Sequence, residues 1–176
     1  MPASELLDTP FWAFSLTVYG GEGVEKECLE LQERLSLDVN LLLFVAYIGA
    51  VESVALDKSD IAAANAAVAG WHGEIVRALR TARRALKPPS TDSTNPLRGP
   101  SAALRAQVKA AELQAEKIEQ AMLWQWSRAQ LANRPRSGRD HALAGNLRAV
   151  FEFYGVIAAA AETVPRLRDA AAAYAP

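Results

Sequence analysis

Cysteine occurs once, at Cys28, and histidine twice, at His72 and His141, in a chain of 176 residues. One thiol excludes an internal disulfide, and so few Cys and His residues supply no zinc-ligand cluster. β-Formers are scarce as well. Ile and Thr together number 11, against 35 Ala and 21 Leu, so local preference runs toward helix. The most apolar stretch, residues 39–56, is broken by Asn40, Glu52 and Ser53. A membrane span needs about 20 mainly apolar residues, so this stretch reads as a buried helix. The first ten residues are acidic and lack the basic segment and apolar run of a secretory leader, which makes the cytoplasm the expected compartment.

Catalytic signatures are missing too. There is no Gly-rich phosphate loop, no Gly-x-Ser-x-Gly and no Glu-x-x-His of a di-iron bundle. Asp57-x-x-Asp60 is a lone match to the Asp pairs of helical prenyl synthases, and it reads as a helix cap. The sequence thus assigns no catalytic residue, no metal ligand and no cofactor.

What is present is amphipathic helix. Hydrophobic residues make up 51% and charged residues 22%, the balance of a folded globular chain rather than a disordered one. Thr9 or Asp8 caps a first helix with Pro10 in its first turn, ending at Tyr19 before a left-handed turn at Gly20-Gly21. Val24, Cys28, Leu31 and Leu35 form the inner stripe of a second helix, which makes Cys28 a packing residue. Asp38 caps a third helix, whose residues Leu41, Phe44 and Ile48 should share one core with Phe14, Leu31 and Leu147. A helix over 61–69 is followed by a kink at Gly70 to Gly73 and a restart with Ile75, Leu79, Ala82 and Leu86 inward. Pro88 to Pro100 is a mobile loop. From Ser101, the residues Leu104, Val108, Ala111, Ala115, Ile118 and Met122 repeat at +4 and +3 and predict the buried stripe of a long helix. Asp140 caps a further helix, and 165–176 is an Ala-rich segment that should fray. The prediction is one all-α domain over 1–176, a compact antiparallel bundle of six to seven helices with an ordered core over 8–163.

The string Phe11-Trp12-x-Phe14-Ser15, then Gly23-Val24, Cys28-Leu29-x-Leu31-Gln32 and Asp38-Val39-Asn40-Leu41-Leu42-Leu43-Phe44, resembles an uncharacterised family of small proteobacterial proteins classed as a domain of unknown function. Trp71 followed by Arg77-Ala-Leu-Arg80 and Arg83-Arg84 is similar to that family's second block. The resemblance covers roughly residues 8–155, about one ordinary domain. It implies a helical cytosolic protein and no established reaction.

Charge is unevenly spread. Residues 1–75 carry three Lys/Arg against twelve Asp/Glu, a balance of −9; residues 76–111 carry eight against one, a balance of +7. An antiparallel hairpin would gather Arg80, Arg83, Arg84, Lys87, Arg98, Arg105 and Lys109 at one end, where like charge is costly unless something anionic meets it. Ion pairing of the arginines with Glu112 and Asp38 is the competing explanation. Trp124 and Trp126 cannot face the same way on a helix, so one indole should mark a contact surface.

Three functions fit these features. The first is a non-catalytic adaptor or regulator that contacts a protein partner or a second copy through the basic end or Trp124. The second is a binder or enzyme for a small anionic ligand, held by Asp38, Asn40, Trp71, Arg77 and Arg80. The third is a basic anchor to nucleic acid or anionic lipid; nucleic acid is disfavoured, because no aromatic residues interleave the basic run. A deep pocket reached by the polar set favours the second reading, and a convex apolar surface the first.

Overall fold

A computed structural model describes residues 6–87, 97–156 and 164–175. About 79% of the described residues are helical, and none forms a strand. The helices are α1 (Pro10–Tyr19), α2 (Val24–Leu35), α3 (Val39–Tyr47), α4 (Lys58–Trp71), α5 (Arg77–Ala85), α6 (Arg98–Gln130), α7 (Arg139–Phe153) and α8 (Pro165–Ala173). A π-helical turn, Ile48–Glu52, extends α3, and a second, His72–Val76, joins α4 to α5 without a break. No described helix is long and apolar enough to cross a membrane.

Helix α3 is the hub. Every residue from Asn40 to Tyr47 is buried, and α1, α2, α4, α6, α7 and α8 all pack on it. Phe11 and Phe14 of α1 meet Phe44 and Tyr47 edge-on or tilted at ring separations of 5.4–5.6 Å. Trp126 and Trp124 of α6 close the opposite side against the same two rings. Leu41, Phe44, Ile48, Phe14, Leu31 and Leu147 lie in one hydrophobic cluster, as their spacing predicts.

The π turn after α3 is where the bundle is tightest. A Cβ at Gly49 would sit 2.6 Å from Leu143 Cα and 2.8 Å from its nitrogen, so only glycine lets α7 approach this closely. Fully buried Asn146 of α7 then supplies what the irregular turn leaves unpaired. It accepts the Leu56 N–H at 2.7 Å and donates to the carbonyls of Val45 and Val54 at 3.2 and 3.0 Å.

Four local expectations change. Helix α1 ends at Gly20 in right-handed geometry (φ −73°), and the left-handed glycine is Gly23 (φ +78°), the residue before α2. Helix α6 begins at Arg98 rather than Ser101; residues 88–96 of the expected loop lie outside the described residues. The segment expected to fray contains α8, held by fully buried Leu167 and Ala171 and by Glu27, whose carboxylate accepts the Arg166 and Leu167 N–H groups at its first turn.

The fourth change concerns α6. Of its expected apolar stripe only Ala115 is buried, while Leu104 and Ala111 are exposed. The buried face carries Glu112, Ala115, Glu119, Leu123 and Ser127 instead. This inversion has an electrostatic cause, because the helices opposite present cations and a histidine.

The close approach at Gly49 predicts that Gly49→Ala lowers stability by at least about 2 kcal/mol, through overpacking against backbone. Gly70→Ala, which meets nothing within 4 Å, should raise it by about 0.5–1 kcal/mol. Urea melts of both variants check the pair; equal effects would mean that α7 does not bear on Gly49.

Candidate functional site

The π turn His72–Val76 sets the register of the site. The inward stripe of α4 runs Ile61, Ala64, Val68, and the wide turn carries it on to His72, Val76 and Arg80. Ile75, expected inside, is exposed, and Val76 is fully buried in its stead. Leu79 and Leu86 are half-buried and Ala82 is exposed. One extra residue in the turn thus aims a histidine and two arginines, rather than an apolar row, at α6.

Asp38 arrives from the other side as the N-cap of α3. Its Oδ1 accepts the Asn40 N–H at 2.9 Å, and its own N–H donates to the Tyr154 hydroxyl at 3.1 Å. Cap geometry leaves Oδ2 pointing at His72, with Nδ1 3.3 Å away. Glu119, with no exposed surface, brings Oε1 to 3.1 Å from the same Nδ1. Asn40 donates to Glu119 Oε2 at 2.9 Å, and its carbonyl accepts from Gln120 at 2.9 Å, which fixes the amide. The indole N–H of Trp71 donates to the Ala115 carbonyl at 2.9 Å, anchoring the turn that holds His72.

Two carboxyl groups and an imidazole therefore share a buried point between α3, α4 and α6. Burial first, and then the Glu119 charge, push the Asp38 carboxyl well above the usual range. No fixed donor reaches its Oδ2. Burial opposes charge on His72, but the Glu119 hydrogen bond and the Asp38 and Glu119 charges outweigh it and raise its pKa.

One turn away, Arg80 donates to Gln32 at 2.6 Å, to Glu116 at 2.8 Å and to Glu112 at 3.2 Å, and Arg83 pairs with the other oxygen of Glu112. Burial penalises the Glu112 carboxylate, yet Arg83 and Arg80 overcome this and hold its carboxyl below the ordinary range. Glu116 is raised, by burial above all.

A cleft of about 590 Å³ opens on this cluster, lined by Asp38, His72 and Tyr154 within and by Ser36, Asn65, Arg77, Arg80 and Arg84 around them. Burial raises the Tyr154 phenol to about 12, so its proton stays available as a donor. Across Arg80, Arg84, Gln32 and Glu33 lies a second groove of about 570 Å³, apolar along Trp12, Leu16, Leu29 and Leu113.

Of the polar set picked from sequence, Asp38, Arg77 and Arg80 line the first cleft and Asn40 and Arg80 the second, while Trp71 anchors the turn between them. The basic set is less uniform. Arg80 and Arg83 are committed to carboxylates; Arg84 is exposed, 4.0 Å from an exposed Glu33; Lys87, Arg98 and Lys109 are exposed, and Arg105 is half-buried. Trp124 lies elsewhere, half-buried on Tyr47 beneath Arg128. The expected pairing of the arginines with Glu112 holds, whereas Asp38 faces His72 instead. Residue spacing assigned neither His72 nor Glu119 to a site, and counting Cys and His found no ligand cluster because two of the three groups are carboxylates. The available signal was the row Glu112, Glu116, Glu119 at +4 and +3, which matches the row Arg77, Arg80, Arg84 at +3 and +4.

The family model described as "Protein of unknown function (DUF2390)" matches residues 10–123. The chain belongs to this family. No curated protein and no solved structure matches it. The matched segment contains Asp38, His72 and Glu119 but ends before α7, so Asn146 and Tyr154 lie beyond it.

The Glu112 network has a definite pH signature. Its folded pKa lies below the ordinary value of 4.5, so its stabilisation is complete above that value and is lost as pH falls through the lower folded pKa. Glu112→Gln should cost about 2–3 kcal/mol at pH 7. In urea melts the gap to wild type should narrow as pH drops below about 4.5. A gap that widens in acid would contradict the assignment.

Proposed function

We propose that the chain binds a small anionic ligand, a carboxylate or phosphate compound, in the cleft at His72. The observation that carries this reading is the pairing of a cleft of small-molecule size with uncommitted donors. The cleft's volume is in the range of small-molecule sites, about 300–1,000 Å³. Arg77 makes no ion pair among the described residues, and Arg84 has only a long, exposed contact with Glu33, worth little. Two forked guanidiniums at the mouth and a phenol proton inside suit a planar or tetrahedral anion. The polar cleft with its uncommitted guanidiniums supports this second function from sequence over the adaptor.

The adaptor reading retains one supporting observation, the exposed leucines Leu16, Leu29 and Leu113 along the neighbouring groove. A peptide or protein partner seated there would leave Arg77 uninvolved, because Arg77 lines only the first cleft.

Calorimetric titration with small carboxylates and phosphate esters at low salt tests the proposal. At least one compound should saturate, and Arg77→Gln with Arg84→Gln should weaken it tenfold or more while leaving the melting temperature unchanged. Raising the salt should weaken wild-type binding as well. Absence of saturable binding across the panel, or equal affinity in the double variant, would remove the cleft from consideration.

A further inference from the structure

We propose that Asp38, His72 and Glu119 form a binding site for one divalent transition-metal ion, of the zinc, cobalt or manganese kind. The three donors come from separate helices, so no sequence motif announces them. They converge nonetheless: one ligand atom from each lies within 4.8 Å of the others. His72 Nδ1 stands 3.3 Å from Asp38 Oδ2 and 3.1 Å from Glu119 Oε1. A cation bound at about 2.0–2.1 Å holds neighbouring ligand atoms about 2.9–3.4 Å apart, from octahedral to tetrahedral arrangement, so both spacings already fit. One imidazole with two carboxylates is a donor set of intermediate hardness that such ions accept.

Two further observations point to a cation. Asp38 Oδ2, buried and aimed into the cluster, accepts no hydrogen bond from any described residue, although Oδ1 is spent on the cap. His72 turns a single nitrogen, Nδ1, to both acids, and with Glu119 as its nearer partner the Asp38 oxygen is left over, which is costly in a buried place unless a further positive species joins the three groups. The nearest guanidinium, Arg80, is already taken by Glu112 and Glu116. The surroundings also resemble the support that ligating groups ordinarily have. Asn40 orients Glu119, Gln120 orients Asn40, and the Asn40 N–H holds Asp38 in place. His72 lines the cleft, which gives the ion a route in and leaves room for water in its remaining positions. This inference does not rest on anion binding, since the metal alone is the probe.

The test is equilibrium dialysis of the full chain, stripped by chelator, against Zn²⁺ and Co²⁺. Wild type should take up one equivalent, rise in melting temperature with metal concentration, and give a Co²⁺ visible spectrum. Asp38→Asn keeps the cap through its amide oxygen, and Glu119→Gln keeps an acceptor for Asn40. Each should stay folded and lose at least thirtyfold in affinity. Should either variant unfold, Co²⁺ titration of wild type followed by NMR decides, because it must shift the His72 imidazole and spare His141. Less than stoichiometric uptake, equal affinity in folded variants, or shifts at His141 instead of His72 would each overturn the site. A wild type that binds neither metal, with Glu119→Gln more heat-stable than wild type, would assign the cluster to a shared proton and overturn it equally.

Discussion

The interaction on which the rest depends is the burial of Glu119. Its carboxyl has no exposed surface, yet it sits on the face that α6 turns toward the bundle. An isolated charge there would cost far more than any apolar contact returns, so its neighbours must answer it. Asn40 reaches it from the first turn of α3 and His72 from the turn between α4 and α5. Asn40 itself is inside because α3 is buried along nearly its whole length. The polar seam thus follows from the same packing that makes α3 the hub, and it ties the hub to the surface cleft.

Two π turns make this geometry possible, and both solve a register problem. After α3 the turn carries Gly49 against the α7 backbone, and Asn146 repairs the hydrogen bonding it disturbs. After α4 the turn inserts the residue that brings His72, Val76 and Arg80 onto one line facing α6. A regular helix through Gly70 to Gly73 would instead have turned Ile75 and Leu79 inward. The acids of α6 would then face an apolar row, which accounts for the dependence of the α6 orientation on that single turn.

Much of the fold was legible in local chemistry. Thr9 and Asp38 act as caps, Cys28 packs inside the α2 stripe, and the six residues expected in one core share it. These features depend on nearest neighbours and helical period, which a sequence displays directly. What local chemistry did not display was the partner of each face. The Leu104 to Met122 repeat has the period of a packed stripe, but the face opposite α5 carries charge pairs between residues 29 and 32 positions apart, beyond the reach of a helical period. His72 stood out only as one of two histidines, at the kink between Gly70 and Gly73, because its meaning lies in Asp38, 34 positions earlier, and Glu119, 47 positions later. Asp38, Asn40, Trp71, Arg77 and Arg80 could be picked out as polar or aromatic groups beside helix ends and kinks. Their gathering around one histidine is a property of the bundle alone.

The seam is more than stability requires. Replacing a buried ionic cluster with packed apolar residues is often neutral or stabilising, so a bundle selected for stability alone would have put leucines where Glu112, Glu116 and Glu119 stand. Here the exposed leucines lie on the outer faces, Leu104 and Leu113 of α6 among them, while the acids point inward. Sequence composition is therefore arranged against the simplest core. The imbalance is local, because around Phe44 and Tyr47 the core is built of aromatic rings packed edge-on or tilted on one another. Such a division, with one half packed for stability and the other wired with charges that open to a cleft, is the arrangement expected where a site must be held rigid by the scaffold that it destabilises.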